Sequence, residues 1–210
     1  MTVSSEHIKF PSSKLDLMPM KLEDPMRDNV AILSGPDRSK KKIKVISEIV
    51  SSGYKRSIPT IIDLLRRETN PKVILAAIDA LKKFKDKKAI SALVAKLNHK
   101  DNDIKIHAAD ALGAILGANE GRFRTAITAL TYLLDSSDES VRITGVHALE
   151  DSLSPACLNY LRYAAENDKS DAVRASARRA IKLITDFNKK AKPKKVEPKP
   201  AKIPKRYPRF

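Results

Sequence analysis

Residues 71–112 read PKVILAAIDALKKFKDKKAISALVAKLNHKDNDIKIHAADAL, and this stretch decides the fold. Val73, Ala76, Ala77, Ala80, Leu81 and Phe84 fall at i, i+3, i+4, i+7, i+8 and i+11, which is one stripe of an α-helix. After the short basic turn KDKK a second stripe follows at Ile90, Leu93 and Leu97. An Asn/Asp-rich turn then leads back to the first pattern at Ile104, Ala108, Ala111 and Leu112, after 31 residues. A helix pair that returns at such a period is the mark of a stacked repeat.

The register extends in both directions. The position held by Val73 is held by Lys42, Ile104, Val141 and Val173 in the other copies, with steps of 31, 31, 37 and 32 residues. Four residues on, where helices approach closely, stand Ile46, Ala77, Ala108, Gly145 and Ala177. Second-helix pairs recur at Ile58/Ile61, Ile90/Leu93, Ile127/Leu130 and Leu158/Leu161, and the long step comes from the insertion GANEGRFR. Five first helices and four second helices are therefore expected. The turns agree: Asn70-Pro71, Asp101 to Asp103, Asp138 and Asp171 stand where N-caps and acidic charge satisfy free helix N–H groups.

The segments DESVRITGVHAL and DAVRASARRAI resemble the short HEAT-like repeat, D-x-x-V-R-x-x-A-x-x-A-L, of phycobilisome-lyase-type and related α-solenoid proteins. The likeness covers about residues 36–187 and is clearest over 71–181. The first copy departs in having Lys42 for the Val, and the first two lack the following Arg, having Ile43 and Ile74. The resemblance implies an all-α fold, a short right-handed α-solenoid of about 4.5 helix pairs. It implies binding scaffolds in the main, with a few lyases, hydroxylases and DNA-repair glycosylases.

Outside the repeats the chain changes character. Residues 1–35, with Pro11, Pro19 and Pro25, read as an extended arm or cap, with a short helix starting at Asp24-Pro25 and ending near Gly35. Residues 188–210, NKKAKPKKVEPKPAKIPKRYPRF, hold ten Lys/Arg against Glu197 alone. Such a tail cannot bury a core and reads as disordered in type, extended and polyproline II-like. The domain division is thus 1–35, 36–187 and 188–210.

Composition limits the function. Lys and Arg outnumber Asp and Glu by 41 to 25, a net charge of +16, which points to a polyanionic partner. The single cysteine, Cys157, excludes an intramolecular disulfide, and it aligns with the small packing positions Ala89 and Ala126. No secretory leader or membrane-spanning run is present, so an intracellular, soluble, cytoplasmic protein without a membrane partner is expected. His7, His99, His107 and His147 occupy unrelated repeat positions. Gly113, Gly117 and Gly121 flank the insertion and follow no strand, so they form no phosphate loop. Glu150-Asp151 reads as a solvated pair in a turn. Neither a Trp-containing base pocket nor a carboxylate–aromatic cluster supports glycosylase or bilin-lyase chemistry. A non-enzyme is expected, with no metal, no cofactor and no small-molecule substrate.

Two surfaces remain. Turns inside the helix pairs carry Lys55 and Arg56, then Lys85, Lys87 and Lys88, then Arg122 and Arg124, with Tyr54 and Phe123 interleaved. Stacking puts these turns on one edge, while Asp101, Asp103, Asp135, Asp138, Glu139, Glu166, Asp168 and Asp171 take the other. Lys82, Lys83 and Lys85 complement helix C-termini, whereas Lys87, Lys88 and Arg124 stand at N-terminal ends, where an anion would repay them. Arg178, Arg179 and Lys182 on the last first helix continue this charge toward Lys189, Lys190, Lys192, Lys194, Lys195, Lys205, Arg206 and Arg209. Arg142 and Arg174 read as rungs between repeats. The second helices present a polar, lightly aromatic face with Thr128, Tyr132, Asn159, Arg162 and Tyr163, suited to a protein or peptide. The reading is a scaffold associated with nucleic acid or a ribonucleoprotein. Its alternatives are an adaptor for an acidic protein partner and, more remotely, a lyase-like or chaperone-type accessory subunit.

Overall fold

The computed structural model describes residues 26–35, 39–118 and 123–191. Among them run ten α-helices: α1 (Arg27–Ser34), α2 (Ser39–Ser52), α3 (Ile58–Arg67), α4 (Pro71–Phe84), α5 (Ile90–Lys96), α6 (Asn102–Ala118), α7 (Arg124–Thr131), α8 (Glu139–Asp151), α9 (Leu158–Asn167) and α10 (Asp171–Ala191). The five first helices are α2, α4, α6, α8 and α10, and each packs on the next. The second helices α3, α5, α7 and α9 form the other layer of an α-solenoid.

In the first helices the position held by Val73 and the one four residues on are buried in every copy, Lys42 included. Lys42 occupies an apolar slot because its Nζ reaches Glu68 Oε2 at 2.9 Å, in the turn between α3 and α4. Gly145 stands where close approach was anticipated: a Cβ there would meet the Leu133 Cβ at 3.0 Å. Gly113 and Gly117 lie inside α6, against α8, where a Cβ would come within 2.8 Å of Ala148 Cα and 2.7 Å of the Asp151 carbonyl oxygen respectively. These two are contact positions between helices.

Capping follows the sequence with small shifts. The Asn70 side chain accepts from the Lys72 N–H at 3.0 Å and Asp138 from the Val141 N–H at 3.1 Å. At α10 the hydroxyl of Ser170, rather than Asp171, faces the first turn, accepting from the Val173 N–H at 3.4 Å. Short 3-10 turns, Lys55–Ser57, Lys87–Ala89 and Pro155–Cys157, lead into α3, α5 and α9. The insertion begins as extra helix, since α6 runs to Ala118 with Ile115 and Leu116 buried; residues 119–122 lie outside the described ones.

Three boundaries differ from the sequence reading. α1 starts at Arg27 with Met26 before it, and Asp24 and Pro25 lie outside the described residues. α1 covers the end of the stack, burying Leu33, and Arg67 donates to the carbonyls of Leu33 and Ser34 at 2.8 and 3.3 Å. α10 continues past residue 187 to Ala191 because Asn188 ties it down, donating to Leu153 O at 3.0 Å and Ile184 O at 2.8 Å. Glu150 and Asp151 are the last residues of α8 rather than a turn pair, and Glu150 bonds Arg179 at 3.1 Å. No helix among the described residues is long and apolar enough to cross a membrane.

Candidate functional site

α3 packs on α5 and α5 on α7, but α7 turns its contacts toward the 3-10 segment Pro155–Cys157. Between α7 and α9 the second layer opens into a cleft of about 680 Å³. Its chief features are Thr128, Tyr132, Asn159, Tyr160 and Tyr163, with Leu134 and Ala164 supplying apolar surface. Tyr132, Tyr160 and Tyr163 are 71%, 52% and 69% exposed, unusual for such large side chains in a chain whose core is otherwise well covered. A smaller depression of about 280 Å³ lies on the other side of Tyr132, toward Leu97 and Lys105.

One wall of the cleft is fixed by a buried ion pair. Arg142 donates to Asp168 through Nε (2.8 Å) and Nη2 (3.1 Å), and through Nη1 to the carbonyls of Ser136 (2.9 Å) and Ser137 (3.1 Å). Burial pushes the Asp168 carboxyl up, but the Arg142 and Ser170 hydrogen bonds and the Arg142 charge outweigh it and hold it below the ordinary carboxylate range. This is the rung expected for Arg142. Arg174 behaves more locally, bonding Asp171 and the Asp168 carbonyl.

Of the residues anticipated on this face, the structure brings Thr128, Tyr132, Asn159 and Tyr163 together. Arg162 is exposed but lies off the cleft, donating to Asn159 Oδ1 at 2.9 Å. The sequence reading names neither Tyr160 nor Asn167 and places Asp135 on the acidic edge, although Tyr160, Tyr163 and Asn167 share one helical stripe at i, i+3 and i+7. Their spacing was readable; which stripe of α9 faced α7 was not.

On the turn edge, Lys55, Arg56, Lys85, Lys87, Lys88 and Arg124 are all exposed, and none forms an ion pair among the described residues. Arg122 lies outside the described residues. The aromatic side chains between them are half-buried, and Phe123 packs against the core. Asp86 already accepts the Lys88 N–H at 2.8 Å, so the Lys87–Ala89 turn offers side-chain charge rather than open N–H groups. On α10, Lys182 is exposed, Arg179 pairs with Glu150, and Arg178 donates to Ala165 O at 3.2 Å. Lys189 and Lys190 are exposed at the end of α10, whereas Lys192, Lys194, Lys195, Lys205, Arg206 and Arg209 lie outside the described residues.

The remaining chemical candidates are occupied structurally. The Cys157 thiol is buried and pushed up to about 11 by burial. His107 Nδ1 sits 3.0 Å from Asp79 Oδ1 on the neighbouring first helix. Asp110, Glu150 and Asp151 crowd one another on the first-helix face, and burial together with Glu150 and Asp110 raises the Asp151 carboxyl. Among the described residues no group of three or more His, Cys, Asp or Glu could hold a metal ion.

The sequence model of a family described as HEAT repeats matches residues 58–121 and again 91–182, together more than half of the chain. The chain belongs to the HEAT-repeat family. Among solved structures, this HEAT-repeat chain is similar to the complex of CpcE and CpcF of phycocyanin lyase from Nostoc sp. PCC7120. The match has 19% identity and a TM-score of 0.60, over 87% of this chain and 71% of that one. It is also similar to a designed armadillo repeat protein in complex with the peptide (KR)4, with 17% identity, a TM-score of 0.57, and coverage of 74% and 80%. An engineered protein matches at 22% identity and a TM-score of 0.53, over 75% and 80% of the two chains. At these identities the likeness is one of fold. No curated protein matches the sequence significantly. The HEAT-repeat fold supports a binding or scaffold module.

Proposed function

We propose that this HEAT-repeat protein is a non-catalytic scaffold that docks on nucleic acid, alone or within a ribonucleoprotein, through its basic turn edge and the segment after α10. It carries a protein segment in the cleft between α7 and α9. The supporting observation is where unpaired positive charge recurs. Lys42, Lys82, Arg142 and Arg179 each pair with a carboxylate beyond their own helix. Many other exposed cations among the described residues pair with none, and those of the turn edge are set apart because six of them, all exposed, recur in three turns that follow the repeat. Unpaired like charges held in a row repel one another, and a polyanion relieves that repulsion. Because Tyr54 is half-buried and Phe123 packs against the core, the described edge offers exposed cations and no fully exposed aromatic ring. Contacts of that kind position a phosphate backbone without reading its bases.

The test is fluorescence anisotropy with a labelled DNA duplex and the full-length protein at about 50 mM salt, where phosphate contacts are strong. Replacing Lys55, Arg56, Lys87, Lys88 and Arg124 together by Gln should weaken binding at least about tenfold, given the salt-linked weight of five phosphate contacts. Full-length protein that binds neither duplex nor single strand under these conditions would sink the nucleic-acid reading. It would leave the adaptor reading, in which the same edge meets an acidic protein.

A further inference from the structure

Three large aromatic side chains left open to water in one cleft mark a contact surface, and the groups around them select what fits it. We propose that the cleft between α7 and α9 holds an uncharged, proline-rich segment of another protein in the polyproline II conformation. This inference rests on the reading of the cleft as a site for a protein segment, and it names the chemistry of that segment.

Three observations carry it, and the first is the rings. Tyr132, just past the end of α7, lines the cleft together with Tyr160 and Tyr163 of α9. The two on α9 stand three residues apart and so are neighbours on one helix face. Aromatic-lined grooves take polyproline II because its pyrrolidine rings pack between aromatic side chains and its backbone arrives already extended, with little conformational entropy to lose.

The second is hydrogen bonding. An extended segment of ordinary residues brings both N–H and C=O groups that must be satisfied, whereas proline brings C=O alone. The cleft meets such a backbone with donors. Among the described residues none of the three phenol hydroxyls makes a hydrogen bond, so each is open to donate to a carbonyl. Arg162 donates to Asn159 Oδ1 at 2.9 Å and leaves the Asn159 NH2 as a further donor. Acceptors are scarcer. The Asn167 NH2 is spent on Tyr163 O at 3.0 Å, which leaves its oxygen, and beyond it the Asp135 carboxylate, for the occasional N–H of a residue between prolines.

The third is charge balance. Asp135 and Asp168 line the cleft against Arg142 and Lys169. Arg142 and Asp168 cancel within their buried pair, so an occupant meets one unspent charge of each sign, Asp135 and Lys169. Beside the cleft, Arg162 and Lys105 make no ion pair among the described residues and oppose a basic occupant. An acidic one is opposed by Asp135. A segment without charge enters with no ion to desolvate.

The experiment titrates the full-length protein by calorimetry with four end-blocked peptides of equal length: decaproline and alternating Gly-Ser, Lys-Pro and Glu-Pro. Decaproline should bind at least about tenfold more tightly than the Gly-Ser peptide, which has to be ordered first, and more tightly than either charged peptide. Tyr132→Ala and Tyr163→Ala should each weaken decaproline at least about fivefold, as the loss of an aromatic anchor does. Tyr163→Phe, which keeps the ring and loses the hydroxyl, should fall between the wild type and Tyr163→Ala. Both tyrosines are exposed, so unchanged thermal unfolding of the variants separates lost binding from lost folding. Decaproline that binds no better than the Gly-Ser peptide, or equally well to the Tyr→Ala variants, overturns the proposal. A charged peptide that binds best and depends on the same tyrosines overturns the uncharged proline-rich partner and keeps the cleft as a site for a protein segment. If none of the four binds, both readings fall. No nucleic acid is present, so the outcome is independent of whether the basic edge binds one.

Discussion

The Arg142 and Asp168 side chains are only 4% and 6% exposed, and their pairing sets the cost of changing either. Removing one member of a buried pair leaves the other desolvated and uncompensated, so Arg142→Ala should cost about 3 kcal/mol, read by chemical denaturation. The loss depends on pH. The Asp168 carboxyl lies below its ordinary value in the folded protein, so its contribution is complete above the unfolded carboxylate pKa. It disappears as pH falls through the folded value, and the gap between wild type and Arg142→Ala should narrow in that window. Asp151 has the opposite sign. Burial, Glu150 and Asp110 raise its carboxyl, so its ionised form weakens the fold at neutral pH, and the penalty fades as pH falls through that raised value. Asp151→Asn should therefore raise the melting temperature at pH 7 and lose that advantage near pH 3. An unchanged melting temperature at pH 7 would contradict the crowding of Asp110, Glu150 and Asp151.

Among the elements, the pair α6 and α8 depends on having no side chain at Gly113. Gly113→Ala gains helix propensity of about 1 kcal/mol, yet its methyl would stand 2.8 Å from Ala148 Cα, backbone that cannot swing aside. The net result should be destabilisation of about 1–2 kcal/mol by denaturant titration, since overpacking outweighs propensity. The periodicity beginning at Val73 located every first helix because the buried stripe repeats almost unchanged from copy to copy. Lys42 showed as a departure in that stripe, but its remedy, Glu68 from the adjoining turn, is a pairing between repeats that no local pattern announces. The extension of α10 to Ala191 escaped for a similar reason: Asn188 is polar in sequence and becomes a helix tie only against Leu153. The cleft was half legible. Thr128, Tyr132, Asn159 and Tyr163 carry the polar-aromatic signal, whereas the opening between α7 and α9 depends on how two neighbours splay.

At the scale of the whole fold, unpaired positive charge recurs along the turn edge of the described residues. Carboxylates and cations inside the stack pair with one another between neighbouring helices, while the turn edge keeps Lys55, Arg56, Lys85, Lys87, Lys88 and Arg124 unpaired among the described residues. The two faces would then serve different partners, a phosphate backbone at the edge and an extended protein segment at the tyrosine cleft. Counterion release gives the most direct measurement of the central claim. Affinity of the full-length protein for a DNA duplex, followed from about 50 to 200 mM salt, should fall with a log–log slope of about −5 if six edge cations each neutralise a phosphate. The slope should shrink as edge residues are replaced by Gln. A slope near zero, or one indifferent to the loss of Lys55, Arg56, Lys87, Lys88 and Arg124, would contradict the account.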